Sequence, residues 1–482
     1  MTSVVMTGLR HCLRWREMRL VAVLALLPLA ALLAAWSPRA LGAEPAAGGV
    51  TLGASEVRLS LEEAVSLAER NNETTLMAIE DEKRAGGVVR EAWAGALPSL
   101  TLAGTYQRNF DLPVFFVTSD STTTEMEIGG DLETQGQLRL DQVLYAFGRV
   151  GNAVKFAGIY KNIASLGVEN ARSQVAYTAS EAYYRVLLAD KVAGIERQSL
   201  VQAQAHLREI EQKYAQGTAS RFDLLRAQVE AKNREPGLIE AENNLALSIE
   251  DLKQVVGLDS ADRLVLTDTL AYLPMEVTEE EAIVEALAHR AEVLSLELSV
   301  EGRKKLLAIE KAGIFPILSL YGQVQFQGQS GRDDLLGSFD KDNRAVSTSA
   351  GIALSVPLFD GFRTRGRVVQ ARAELKRSEY QLEQARKSVR LEVSKAVRDL
   401  ASLRKEYESQ VATIGLAEEA YRIAETRFRS GLSTQLELTD AETALDFART
   451  NFAQTLYKYN VAAANLERAL GRAAGGPGGE LD

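Results

Sequence analysis

The chain carries little raw material for catalysis. Its 482 residues include three histidines, His11, His206 and His289, and a single cysteine, Cys12. His206 and His289 sit in stretches of helical periodicity, without an HExxH pair or a nucleophile elbow around them. One cysteine supports neither a disulfide framework nor a thiolate metal cage. No GxxxxGK[S/T] phosphate loop occurs. We therefore expect no catalytic residue, no metal site and no cofactor. The formal net charge of −10 also argues against nucleic acid as a partner. What remains is a function of shape and of fixed charge.

The elements that would hold that shape begin after residue 43. Arg10, Arg14, Arg16 and Arg19 precede an apolar run from Leu20 to Trp36, which is followed by Ser37, Pro38 and small residues. Residues 1–43 thus read as a secretory signal cleaved near Gly42 or Ala43. A retained anchor is the other reading of a run of about 17 residues. Cys12 precedes the run, so it is not the lipid-bearing first residue of a mature lipoprotein. Residues 44–58 read as a linker.

The rest of the chain repeats once. Leu97-Pro98-Ser99-Leu100-Thr101-Leu102 returns as Phe315-Pro316-Ile317-Leu318-Ser319-Leu320. Leu144 to Arg149 map onto Leu358 to Arg363; Tyr214, Gly217 and Asp223 map onto Phe428, Gly431 and Glu437; Gly257 meets Gly471. Four landmarks in one order mark a tandem duplication, with repeats at 59–257 and 279–472, a connection at 258–278 and a flexible tail at 473–482. Each half reads as a helix of about 36 residues, two strands around a loop, a helix of about 65, a tight turn and another helix of about 36. In the second half these fall at 279–314, 317–328, 348–359, 363–429 and 435–470. The long helix would reach roughly 100 Å, and two shorter helices stacked end to end would match it, with residues 257–278 at mid-height.

Leu438, Leu445, Phe452, Tyr459 and Leu466 recur every seven residues, with Ala441, Ala448, Ala462 and Ala469 offset beside them. Leu224, Ala231, Leu238, Leu245 and Leu252 do the same in the first half, and Val389, Val393, Ala396, Leu400, Leu403 and Tyr407 alternate four and three. Such seams imply coiled-coil contacts, or an ordinary elongated bundle. Pro236-Gly237 should kink the first-half helix.

The strand segments alternate with period two. Leu100, Leu102, Gly104 and Tyr106 share a face, as do Leu318, Leu320, Val324 and Phe326, then Leu138, Leu140, Gln142 and Leu144, then Ile352, Leu354, Val356 and Leu358. Segments near ten residues with one apolar face suit a barrel wall with lipid outside and water inside; a half-buried soluble sheet alternates likewise. Four strands cannot close a membrane barrel alone, because hydrocarbon satisfies no open edge and bacterial barrels begin at eight. Three copies, giving twelve strands, are the fewest that leave a polar lumen. Tyr106, Phe110, Tyr145, Phe147, Phe326, Phe359 and Phe362 fall near strand ends, as interfacial girdles or loop packing. Loops 111–133 and 329–347 then face outside.

Taken together, residues 59–472 resemble the TolC family of outer-membrane efflux proteins. The resemblance rests on Leu59-Ser60-Leu61-Glu62-Glu63-Ala64-Val65, the Leu-Pro-Ser-Leu start of the first strand, Pro357-Leu358-Phe359-Asp360-Gly361, and the Gly431 turn with Asp440-Ala441-Glu442. It implies a mainly helical fold with membrane strands: a homotrimer with a twelve-stranded barrel in outer-membrane lipid and a long coiled-coil periplasmic tunnel. It further implies a passive exit duct of a tripartite efflux or type I secretion system, worked by a periplasmic adaptor (membrane fusion protein) and an inner-membrane transporter.

By the same resemblance, Tyr214, Gly217, Thr218, Phe428, Gly431 and Leu432 match the tips that meet the adaptor, and Asp223, Glu437 and Asp440 match acids that constrict the pore. Glu437 departs from the aspartate that well-known members often have there. Glycines are equally at home in a partnerless turn, and acids just after a turn often serve as helix caps. A rival reading is a periplasmic coiled-coil adaptor or structural protein with a soluble sheet.

Overall fold

A computed structural model describes residues 56–472 except 120–121, 128, 331–338, 341 and 343. The expected signal segment, nearly all of the linker and the C-terminal tail lie outside the described residues. The first half runs β1 (Glu56–Leu59), α1 (Leu61–Asn71), α2 (Glu73–Ala94), β2 (Ser99–Arg108), β3 (Val114–Ser119), β4 (Thr122–Glu127), β5 (Leu132–Tyr145), α3 (Arg149–Ala215) and α4 (Arg221–Val256). The second runs β6 (Arg263–Leu266), α5 (Glu279–His289), α6 (Ala291–Lys311), a 3₁₀ turn, β7 (Ile317–Ser330), β8 (Arg344–Ser355), α7 (Arg363–Arg429) and α8 (Gln435–Leu470).

The duplication is visible in the lengths. Helices α3 and α7 each have 67 residues, and α4 and α8 each have 36. At 1.5 Å per residue the long pair spans about 100 Å, and α2 with α4, then α6 with α8, line its two halves. Contrary to expectation, the helix that opens each half is broken in two. Asn72 and Arg290 adopt extended backbone, with φ −65° and −64°. The Asn72 carboxamide accepts from Thr74 N–H at 2.9 Å and donates to Val255 O at 3.0 Å, capping α2 while holding the end of α4.

At the same place Gly257, the left-handed cap of α4, lies so close to α1 that a Cβ on it would sit 2.8 Å from the Asn71 Cβ. Gly471 abuts Arg290 in the same way, at 3.0 Å from its backbone nitrogen. The break is thus where a returning helix butts against the opening one, which no periodicity within a single helix reveals. Helix α4 remains one element through Pro236.

The strands form one antiparallel sheet in the order β2-β5-β7-β8, so β2 and β8 are its edges. The register sets Leu102 opposite Leu138, Leu138 opposite Val324, and Leu320 opposite Ile352, which keeps the apolar residues on one face. Strand β8 starts at Arg344, where it pairs with Gly328 of the long β7, and ends at Ser355, before Pro357, which has no N–H to continue the ladder; both ends fall earlier than the expected 348–359. Leu358 and Phe359 therefore lie past its end. The expected loop 111–133 contains the β3-β4 hairpin, and β1 pairs in parallel with β6, joining the chain's start to the connection. None of the described helices is long and apolar enough to cross a membrane.

Two apolar cores sit near mid-length. One joins Ala64, Val65 and Ala68 of α1 to Val175, Ala179 and Tyr183 of α3 and to Leu252 and Val256 of α4. The other joins Ala282 and Ala286 of α5 to Val389, Val393 and Leu400 of α7 and to Tyr459, Leu466 and Leu470 of α8. Alanines at these crossings let the backbones approach, and large residues from the partner helices fill the gaps.

Tyr183 pins the first core. It is fully buried, its hydroxyl 2.9 Å from Asp268 Oδ2 and 3.1 Å from Leu59 O. The same carboxylate oxygen accepts from Leu61 N–H at 2.8 Å at the start of α1. Tyr183→Phe keeps the ring and strips the hydroxyl from both acceptors. We expect a loss of about 1–2 kcal/mol, read as a lower denaturant midpoint in detergent.

Candidate functional site at the helical tip

Both long helices end in the same turn for the same backbone reason. Gly217 and Gly431 sit at φ +74° and +73°, a left-handed conformation that costs a residue with a Cβ about 1–2 kcal/mol. Each terminates its helix in a Schellman arrangement. Gly217 N–H donates to Tyr214 O and Thr218 N–H to Lys213 O, both at 2.9 Å. Gly431 N–H donates to Phe428 O at 3.0 Å and Leu432 N–H to Arg427 O at 2.8 Å. The next helices begin on hydroxyl caps, Ser220 for α4 and Thr434 for α8.

Equivalent positions in the two tips have different surroundings. Tyr214 is 42% exposed and Leu432 71%, and both face outward. Phe428, the repeat partner of Tyr214, is only 8% exposed. It packs with Ile210 of α3, Ala227 of α4 and Leu438 of α8. Its ring also meets the His206 imidazole edge-on at 4.9 Å and the Lys213 ammonium at 4.8 Å. Phe428 therefore fastens one hairpin to the other, and its ring is withheld from any outside surface.

Two of the three candidate constriction acids are free to face solvent. Glu437 and Asp440 are exposed; the Glu437 amide donates to the Thr434 hydroxyl at 3.3 Å, which leaves its carboxylate uncommitted to the cap. Asp223 is differently employed. Its carboxylate accepts from the Ser220 hydroxyl at 2.7 Å and the Ser220 amide at 3.1 Å, closing a capping box. Those bonds hold its carboxyl below the usual range.

A second group of polar residues lies between the hairpins, and the sequence reading missed it. Glu442 and Asp446 are one turn apart on α8 and are 8% and 9% exposed. Arg234 reaches across from α4, donating to Asp446 at 3.3 Å, to the Thr443 hydroxyl at 3.2 Å and to Glu230 at 3.0 Å. Burial, reinforced by Asp446, pushes Glu442 up to about 7, and burial raises Asp446 as well. Burial also lowers His206. The available signal was two acids at helical spacing beside the apolar seam positions Leu438 and Leu445; Glu442 entered the sequence analysis only as part of Asp440-Ala441-Glu442, without a role of its own.

The model of the family described as outer membrane efflux protein matches residues 64–258 and 282–472, which is most of the chain and both repeats. The chain belongs to that family. Among relatives, the alkaline protease secretion protein AprF of Pseudomonas aeruginosa is 25% identical, the match covering 59% of either chain. Outer membrane protein OprJ of the same organism is 25% identical over 86% of this chain and 84% of its own. The crystal structure of the outer membrane protein VceC from Vibrio cholerae superposes with a TM-score of 0.67 at 21% identity, covering 86% of this chain and 96% of that one.

As an outer membrane efflux protein the chain resides in the outer membrane, with a helical extension into the periplasm. The soluble-sheet rival falls with that. Within the family fold, the differing burial of the two tips makes a direct expectation. Phe428→Ala should cost about 3 kcal/mol and speed protease cleavage at both tip turns. Tyr214→Ala should stay within about 0.5 kcal/mol of the parent, with unchanged cleavage.

Proposed function

We propose that the chain works as a homotrimer: a passive exit duct of a tripartite efflux or type I secretion system, with no catalytic step of its own. The observation that carries this is the four-stranded sheet with two open edges, β2 and β8, continuous with helices about 100 Å long. A sheet in hydrocarbon must close, and four strands fall short of the smallest bacterial barrel. Pairing β8 of one copy with β2 of the next in a ring of three gives twelve strands and a lumen wide enough to stay wet. A relative named for alkaline protease secretion supports the view that such a duct passes polypeptide as well as small molecules.

In this reading the tips meet a periplasmic adaptor driven by an inner-membrane transporter. Tyr214, Thr218 and Leu432 offer the exposed side chains. Gly217 and Gly431 supply the turns, and Phe428 braces them from within. Threefold symmetry would turn Glu437 and Asp440 into rings, where like charges resist close approach unless protonated or bound to cations. Asp223 adds its charge while capping α4.

Thr218→Cys and Leu432→Cys keep the positive-φ glycines intact and suit crosslinking in the native cell. They should trap a periplasmic adaptor; recovery of the chain uncrosslinked in every condition would sink the docking assignment. Glu437→Ala and Asp440→Ala should each raise single-channel conductance in planar bilayers, and unchanged conductance would remove the constriction role. Asp223→Ala should instead cost about 1 kcal/mol of stability through loss of the cap.

A further inference from the structure

The two hairpins of each protomer are joined very differently at their two ends. At mid-length the contact is built on a large apolar cluster that includes Tyr183, Leu252 and Leu456, with buried polar groups such as Thr455 and Asn460 hydrogen-bonded beside it. Toward the tip it contains buried polar atoms without partners: Glu442 Oε1, both side-chain amide atoms of Gln435, Ser433 Oγ and His206 Nε2. A buried donor or acceptor left unmade is costly, and so is a carboxylate without a full counter-charge.

The charges around Glu442 do not balance. Asp446 follows it on α8, and Glu230 of α4 is the third carboxylate of the group. Among the described residues Arg234 is the cation bonded to this group, and it is already shared between Glu230 and Asp446, with Arg449 acting on Asp446 from farther off. The remaining neighbours are committed elsewhere. On α7, Glu425 is paired with Arg429, and Tyr421 brings a phenol. Arg449 of α8 is paired with Glu418 of α7. On α3, Lys213 is paired with Glu209, and burial lowers His206.

From this geometry we infer that Glu442 is a proton-operated latch. Protonated, it lets α8 lie against α3, with Arg234 reaching in from α4, beneath the Phe428 brace; ionised, it leaves a surplus of negative charge that water must enter to solvate, and the hairpins part. The sign follows from linkage. Burial favours the neutral acid in the packed state, so the packing that Glu442 permits is present at acid pH and weakens as the pH rises through its folded value. The latch rests on the channel reading only in making the tip a gate.

The test reads hairpin separation directly in the full chain in detergent. Spin labels on Ala444→Cys of α8 and Gln228→Cys of α4, both exposed positions, report the distance between the two helices, and the one native cysteine, Cys12, falls in the expected signal. The distance should be short at about pH 5.5 and longer by about pH 8.5, with the change centred near neutrality. In Glu442→Gln it should stay short throughout. Asp446→Asn, which removes the nearest like charge and so lessens the surplus that parts the hairpins, should move the midpoint to higher pH and serves if the first variant does not fold. Glu240→Gln, an exposed acid of α4 outside the group, should leave the midpoint in place. A distance independent of pH in the parent, or a parental curve retained in Glu442→Gln, overturns the latch. Conductance in planar bilayers, measured on the same samples, separates that outcome from failure of the channel reading.

Discussion

Unsatisfied backbone at the edge of a sheet is the constraint on which the rest of this molecule depends. In water the N–H and C=O groups along the outer sides of β2 and β8 could bond solvent; in hydrocarbon they cannot. A chain that supplies four strands must therefore take its closing bonds from copies of itself. Once strands are arranged around a ring, helices that continue from them are arranged likewise. The 67-residue helices then have a wall to form, and the proposed tunnel is the soluble continuation of a closure required in lipid.

The same duplication that supplies strands in pairs supplies a joint between sheet and helix twice, and the joints expose what that corner demands. In the first repeat the left-handed positions are Phe147 and Gly148; in the second they are Gly361 and Phe362. The glycine and the phenylalanine have exchanged places while both dihedrals stay positive. A bulky residue in that region is strained, so the corner geometry is imposed by the strand and helix on either side. Phe147 gains a stacked partner in Phe315 at 4.9 Å and Phe362 an edge-on one in Phe359 at 5.5 Å. Those contacts offset part of the strain, and Asp360 caps α7 by accepting from Thr364 N–H at 2.8 Å.

Much of this was legible in the sequence because long-range order had been written twice. The heptads of Leu438, Leu445, Tyr459 and Leu466 give the seam, and all four are buried. Glycines 217 and 431 mark the turns, and the alternation of the strands gives the apolar face. What escaped notice depends on contacts between segments far apart in sequence. The breaks at Asn72 and Arg290 are set by Gly257 and Gly471 arriving from other helices. The β1-β6 pair joins segments separated by most of a repeat. Phe428 resembles Tyr214 in type and in place, yet only the neighbouring hairpin decides that one ring is buried and the other free.

Two repeats of equal length need not be equal in chemistry, and their difference assigns them different work. The positions matching Glu442 and Asp446 in the first repeat are Gln228 and Lys232, both exposed and outside any buried acidic pair. The position matching His206 in the second repeat is Ala420. Acid, imidazole and arginine are thus gathered where the second hairpin meets the first. Buried polar atoms without a partner occur near mid-length as well, at Thr75 and Arg468, so under-bonding by itself does not set the tip apart. What distinguishes the tip is that the buried carboxylates of Glu442 and Asp446 stand beside one shared guanidinium, Arg234, so that the hold of this seam depends on charge in a way that the apolar clusters around Tyr183 and Tyr459 do not.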